Sequence, residues 1–364
     1  MLSAEGCRRR RQRFLEQIRP NVGGESLLLA DPIHLMYLAN FFVSPFSLGG
    51  GFGGLLRLEP NGETTLFHDN RLPHTVDQAH VDECRVIDWY DGESPPRVPR
   101  QLALVEALEA IGQTTRVHDR PEDPLGRPIV TTLAAQRRRK DPDEIALLRR
   151  CIAATEAGHA WARQNISAGM TELDVYCGVS AACMAHAEHA VIVYGDFAVS
   201  PGPERHGGPP TSQVLRNGDM FILDFSVVIG GYRSDFTNTL VVGGEPTAEQ
   251  RRLYEWCRAA MEAGEKQLAA GRACLSVYQA VNDVFERAGV GEHFPHHAGH
   301  GLGLTHPESP FFVPRAMETL LAGDVVTLEP GLYVPGVGGI RIEHNYLITE
   351  GGYERLSSHA ISLT

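Results

Sequence analysis

Apolar and polar positions along this 364-residue chain follow two different periods in succession. Between residues 26 and 130, short apolar runs at 27–30, 55–58, 64–67 and 85–89 read as strands, and 99–111 carries helical spacing. Segments mixed in this way predict an α/β domain, with loops at the proline-rich stretches 94–99 and 121–128. A charged linker then reaches Asp141-Pro142-Asp143-Glu144, where Asp141 can cap, Pro142 suits the first helical position and Glu144 can close a capping box. The boundary is expected there, giving domains 1–136 and 137–364. Beyond it the pattern predicts a long helix to about residue 168, stopped by Gly169, then helices over 171–190, 248–270 and 276–288. Glycine-rich strands begin at 191, and the chain after 288 is strand and turn. Helices alternating with hairpins make the second domain α+β.

Two of these hairpins carry acids where apolar residues are expected. Residues 220–228 form a nearly continuous apolar strand interrupted by Asp224, Ile229-Gly230-Gly231 supplies a turn, and the return strand over 232–242 carries Asp235. A bare carboxylate on a buried strand costs several kcal/mol unless something compensates it. One acid stands at an even position and the other at an odd one, and a two-residue loop sets such positions on the same face. A loop of Ile229-Gly230 makes them directly opposed and a loop of Gly230-Gly231 makes them diagonal. The second hairpin runs from 324 to Glu329-Pro330-Gly331 and returns over 338–349 with Arg341 and Glu343 on one face, where a simple ion pair between them is the plain alternative.

Between the hairpins lie four histidines, His296, His297, His300 and His306, with glycines on both sides of His300 that let its imidazole approach a crowded centre. Asp224, Asp235, His300, Glu329 and Glu343 together offer one nitrogen and four carboxylates. So many negative groups need neutralising, and two divalent cations about 3.5–4 Å apart would do it. Oxygen-rich ligation with one imidazole suits manganese or cobalt, with zinc as a further option.

Composition narrows the function classes. A net charge of −12, with lysine only at Lys140 and Lys266, argues against a nucleic-acid partner, and the absence of any long apolar run argues against a membrane span. Seven scattered cysteines, odd in number and never spaced C-x-x-C, fit neither a disulfide framework nor a thiolate zinc site, so a reducing cytoplasm is expected. The basic run 8–11 reads as the solvated face of an amphipathic helix. Polar residues follow it where a signal peptide needs its apolar segment, so no export is expected.

The ordered strings Leu-Asp-Phe around Asp224, Tyr-Arg-Ser-Asp-Phe-Thr around Asp235, Gly-His-Gly-Leu-Gly at His300, Leu-Glu-Pro-Gly-Leu-Tyr at Glu329 and Arg-Ile-Glu at Glu343 resemble the pita-bread metallopeptidase family of prolidases, aminopeptidases P and methionine aminopeptidases. The resemblance runs from about Arg137 to the end, and the preceding segment is similar to the N-terminal domain of the creatinase, prolidase and aminopeptidase P branch. It implies an α+β pita-bread catalytic domain behind a smaller α/β domain, a peptide substrate with proline at its second position, and a homodimer. Carried over by residue, it implies Asp224 and Asp235 on one metal, Asp235 and Glu343 bridging, and His300 and Glu329 on the other, with Glu329 moving a proton towards the leaving nitrogen. His206, His306 and Arg341 become catalytic and substrate-side groups, and His296 a substrate-side one. Two departures stand out: His300 and His306 are six apart where relatives usually show seven, followed by Pro-Glu rather than Glu, and His344 stands where relatives commonly have Asp. A metal-dependent amidohydrolase acting on a small non-peptide metabolite is the competing activity. A catalytically silent binding protein on the same scaffold is the other alternative, against which the full set of five ligands argues.

Overall fold

In a computed structural model that describes residues 1–46, 53–72, 76–110, 116–200 and 207–364, the chain divides into two units, Met1–Arg137 and Arg138–Thr364. In the first unit, α1 (Ala4–Val22) starts where the Ser3 hydroxyl accepts from Gly6 N and stops at Gly23 in the left-handed conformation. Strands β1 (Leu27–Leu29), β2 (Leu55–Leu58), β3 (Thr64–Asp69) and β4 (Glu83–Ile87) form one sheet in that order, antiparallel except for the parallel β3/β4 pair. Helices α2 (Pro32–Ala39), α3 (Arg100–Ala110) and α4 (Gly126–Arg137) belong to the same unit. Ile111, the predicted end of the third helix, lies outside the described residues.

The basic run at the start of α1 is not a solvated face. Arg8 and Arg9 are exposed, but Arg10 and Arg11 are buried. Arg10 Nε donates to Tyr37 O at 2.9 Å with its guanidinium over the Tyr37 ring, and Arg11 donates to Leu38 O at 2.8 Å and His80 O at 2.9 Å. Tyr37 and Leu38 belong to the last turn of α2, whose carbonyls lack helical partners, so two arginines of α1 satisfy groups that burial would otherwise penalise.

The second unit opens with α5 (Pro142–Asn165), whose Asp141/Glu144 capping box is formed, and α6 (Glu172–Ala187), capped by Thr171 and Asp174. Both end about three residues before the sequence limits of 168 and 190. Four strands, β5 (Ile192–Ser200), β6 (Met220–Ile229), β7 (Tyr232–Arg233) and β8 (Phe236–Val241), form one sheet in which β6 pairs with the other three. Gly158 of α5 faces this sheet so closely that a Cβ there would lie 2.9 Å from the Phe225 ring. Helices α7 (Ala248–Glu265) and α8 (Cys274–Arg287) bury Leu253, Cys257, Val277, Val281 and Phe285 against Val326, Leu328, Ile340 and Tyr346 of the remaining strands. Those strands are β9 (Gly299–Gly301), β10 (Glu308–Phe312), β11 (Val325–Leu328), β14 (His344–Thr349) and β15 (Gly352–Arg355) in one sheet, with β12 (Gly331–Val334) and β13 (Gly338–Arg341) as a separate ribbon.

The segment 338–349, which reads as one strand in the sequence, is two. β13 pairs with β12, β14 pairs with β11, and the break falls at Ile342 and Glu343. There Ile342 N donates to Pro330 O at 3.2 Å and Glu343 N to Thr237 O at 3.0 Å, so the backbone passes from the ribbon to the edge of β8.

Candidate metal centre

Asp224 sits mid-strand in β6, opposite Asp196 of β5 on one side and Thr237 of β8 on the other. The β6/β7 turn uses Gly230 at φ 56° and Gly231 at φ 81°, the left-handed pair that a two-residue hairpin loop requires. That loop selects the diagonal arrangement: Asp235 comes just before β8, one step along from Asp224. Asn345 fixes the Asp235 backbone from both sides, accepting from its N–H at 3.2 Å and donating to its carbonyl, and Ser226 Oγ donates to Oδ1 at 3.3 Å.

Glu343, at the break between β13 and β14, is 1% exposed and brings a carboxylate oxygen into one group with Asp224 and Asp235, all within 4.8 Å. Thr237 Oγ1 donates to Glu343 Oε2 at 2.6 Å, while Oε1 is buried with no hydrogen-bond partner among the described residues. Burial, reinforced by the charges of Asp235, Glu329 and Asp224, pushes the Glu343 carboxyl well above its usual range. Burial likewise raises Asp224 to about 7, against the opposing charge of Arg341 and with the help of Asp235, Asp196 and Glu329. Crowded carboxylates with an orphaned buried oxygen have an uncompensated charge that a divalent cation would neutralise.

The imidazole of His300 adjoins this group through Asp235 and lies beside Glu329. Its Nδ1 donates to Gly301 O at 2.9 Å, which turns Nε2 inward to 3.5 Å from both Asp235 Oδ2 and Glu329 Oε1. At Gly299 a Cβ would lie 2.2 Å from Thr327 O, so glycine is needed for β9 to run this close to β11. Glu329 follows β11, accepting from Thr327 Oγ1 at 3.1 Å and lying 3.3 Å from His297 Nδ1. Burial alone would raise its carboxyl, but the adjacent His297 imidazole and the charges of His300 and His296 outweigh it and hold the group below the usual carboxylate range.

The remaining sequence-predicted residues surround this cluster. His306 Nε2 is 2.8 Å from Asp235 Oδ2 and its Nδ1 is 3.0 Å from Tyr194 OH. Burial pulls that imidazole down, but the hydrogen bond with Asp235 and the charges of Asp235, Tyr194 and Asp224 raise it to about 10. Arg341 ends β13 and does not pair with Glu343. It donates to Asp224 Oδ2, to Asp196 Oδ2 at 2.6 Å and to Tyr333 OH at 2.7 Å, which ties the arginine to the neighbouring sheet. His296 Nε2 lies 3.1 Å from the same Tyr333 hydroxyl, and burial lowers its pKa to about 4. His206 lies outside the described residues. Gly208, two places after it, donates its N–H to Asp196 Oδ1 at 2.7 Å. Asp196, Asp235, His296, His306, Glu329 and Arg341 are among the residues lining a cavity of about 560 Å³, within the usual range for small-ligand sites.

Sequence reasoning gave no role to Asp196, Tyr333, Thr237, Tyr194 or His297, although His297 stood among the clustered histidines and Thr237 and Tyr333 closed two of the motif strings. Asp196 had a usable signal, a lone carboxylate in the strand Ile-Val-Tyr-Gly-Asp-Phe-Ala-Val, the same anomaly that marks Asp224. Tyr333 and Thr237 are uncharged residues in strands and give no such sign. His344, the residue at the second departure, is buried with its Nδ1 2.9 Å from Ser357 Oγ and its ring against His359.

Comparison with known proteins adds to this geometry. Residues 146–350 match metallopeptidase family M24. A protein of Mycobacterium tuberculosis described as probable dipeptidase PepE is 33% identical over 287 residues, 74% of this chain and 73% of that one. Among solved structures, an Xaa-Pro dipeptidase from Bacillus anthracis superposes with a TM-score of 0.78 at 23% identity, covering 99% of both chains. An X-Pro aminopeptidase from Thermotoga maritima gives 0.78 at 22% identity, covering 97% of this chain and 99% of that one. The fold is therefore the pita-bread architecture with its N-terminal domain, along the whole chain.

Proposed function

Given that the chain belongs to metallopeptidase family M24, we propose that it hydrolyses the bond between an N-terminal residue and proline, using two divalent cations held by Asp224, Asp235, His300, Glu329 and Glu343. The observation that carries the reading is the group of three carboxylates, Asp224, Asp235 and Glu343, in which buried Glu343 keeps one oxygen without a hydrogen-bond partner among the described residues. In this reading Asp224, Asp235, His300, Glu329 and Glu343 would hold the cations between them. Four carboxylates and one imidazole favour manganese or cobalt. Neighbours named Xaa-Pro dipeptidase and X-Pro aminopeptidase support the substrate class. A homodimer of this chain and a reducing cytoplasm, the latter consistent with seven free cysteines, belong to the same proposal.

The cations supply Lewis acidity towards the scissile carbonyl and lower the pKa of the attacking water. Glu329, kept ionised by His297 and His300, accepts a proton from that water and delivers it to the leaving nitrogen. A proline nitrogen carries no hydrogen of its own, so it needs this delivered proton to leave as a secondary amine. His306 and Arg341 face the developing oxyanion or the substrate termini, a role that the family resemblance also implies for His206, and the Arg341 guanidinium is set in place by Asp196, Asp224 and Tyr333. His296 acts on the same wall through Tyr333.

The test is a panel of dipeptides and longer peptides assayed with added manganese. Ala-Pro or Met-Pro should be cleaved and Ala-Ala much less. Equal rates would mean a general dipeptidase, and no cleavage of either would favour the amidohydrolase. Comparing dipeptides with longer Xaa-Pro peptides separates a prolidase from an aminopeptidase.

A further inference from the structure

The segment after His300 is not simply one residue shorter than in relatives. Glu308 is firmly seated: it pairs with Gly301 across β9/β10, forms a buried ion pair with Lys140 at 2.7 Å and accepts from Thr305 Oγ1 at 2.8 Å. It stands eight residues after His300, where the glutamate of relatives also falls. What differs is that the imidazole comes one position earlier, with Pro307 in its usual place.

That shift brings His306 onto a metal-binding carboxylate. Its Nε2 is 2.8 Å from Asp235 Oδ2, the same oxygen that lies 3.5 Å from His300 Nε2, and ligand atoms of all three residues fall within 4.8 Å of one another. The two rings, 5.0 Å apart between centroids, are held in parallel ways. His300 Nδ1 is fixed by Gly301 O, and His306 Nδ1 is fixed by Tyr194 OH. The Tyr194 hydroxyl is in turn held by Arg233 at 3.2 Å, and Arg233 is anchored on Leu304 O at 2.9 Å. A histidine ligand is typically oriented by a hydrogen bond at the nitrogen that does not bind metal. Both imidazoles meet that condition and both turn Nε2 towards one carboxylate oxygen.

We propose that His306 is a sixth metal ligand in this chain, giving the cation of His300 and Asp235 a second imidazole nitrogen. The proposal rests on the metal-centre reading above. It commits His306 Nε2 to a lone pair facing the cation, with Nδ1–H donating to Tyr194. The competing arrangement keeps the proton on Nε2 and leaves His306 as a substrate-side group hydrogen-bonded to Asp235. A two-imidazole site also moves the metal preference towards zinc, relative to a site with one.

The experiment counts nitrogens directly. Metal-depleted protein carrying 15N-labelled histidine is reconstituted with manganese and examined by pulsed electron paramagnetic resonance, together with calorimetric titration of the wild type and His306→Ala. The expected result is two coupled imidazoles in the wild type, one in His306→Ala, and a manganese dissociation constant raised more than about 10-fold by the substitution. One coupled imidazole in the wild type overturns the proposal, whether or not the variant folds. So does an unchanged affinity in a folded His306→Ala. These readouts need no peptide, so failure of the Xaa-Pro reading in the dipeptide panel is seen separately. Absence of manganese binding removes the metal centre itself and this proposal with it.

Discussion

Thr237 holds Glu343 at two points: its hydroxyl donates to Oε2 at 2.6 Å and its carbonyl accepts the Glu343 N–H at 3.0 Å. The other oxygen, Oε1, is buried with no hydrogen-bond partner among the described residues, in a carboxylate grouped with Asp224 and Asp235. A side chain adjoining a metal ligand in this way typically contributes one to two orders of magnitude in metal affinity.

Thr237→Val keeps the shape and removes the hydroxyl, so manganese affinity should fall about 10- to 100-fold, whereas Thr237→Ser should stay within a few-fold of the wild type. Calorimetry on metal-depleted protein checks both. Equal affinity in all three proteins would reduce the Thr237 hydroxyl to packing.

Beneath the same strands lies a stack of buried imidazoles. His159 lies 4.7 Å from the Phe225 ring and 4.9 Å from His359, and His344 lies 4.7 Å from His359. Burial lowers all three, His159 to about 3, His344 to about 2 and His359 well below its usual value. The unfolded chain therefore takes up protons near pH 6.5 that the folded chain refuses. Stability from these groups is whole above pH 6.5 and is lost as the pH falls from there towards 3, by up to about 1.4 kcal/mol per pH unit for each proton. Urea unfolding of the metal-depleted protein between pH 5 and 8 should show this decline, offset in part by Asp224 and Glu343, whose raised carboxyls bind protons in the folded state. His159→Phe, which keeps the stack, should flatten the slope by about one proton, and an unaltered slope would mean that His159 is protonated in the folded state.

Lys140 and Glu308 form an ion pair with 1% and 7% side-chain exposure. Lys140→Met leaves the carboxylate buried with its main charge partner gone and should cost about 3–5 kcal/mol, part of which the double change with Glu308→Gln should restore. Denaturant midpoints of the single and double variants decide it. A neutral Lys140→Met would show that Thr305 and the backbone around Glu308 compensate unaided.

The site was more legible than its surroundings. Asp224 and Asp235 are readable because a charge on an apolar strand violates the strand's own pattern, and hairpin parity sets them on one face. Parity leaves the choice between an opposed and a diagonal pair to the left-handed Gly230 and Gly231. Arg10 and Arg11 mislead because charge suggests solvent, while their partners are carbonyls at the end of a helix more than twenty residues away. Residues 338–349 look continuous because the alternation survives the change of partner from β12 to β11, and only long-range pairing marks the break at Glu343. Asp196 and Tyr333 belong with Arg341 through contacts that local periodicity does not encode.

The central claim is that the carboxylate cluster is a metal centre and that peptide hydrolysis depends on it. The most direct measurement is manganese titration of chelator-depleted protein, with Ala-Pro hydrolysis followed at each addition. The account predicts negligible hydrolysis without metal, recovery that saturates near two manganese ions per chain, and loss of both binding and activity in Asp235→Ala. Full Ala-Pro hydrolysis by protein containing no metal would contradict it.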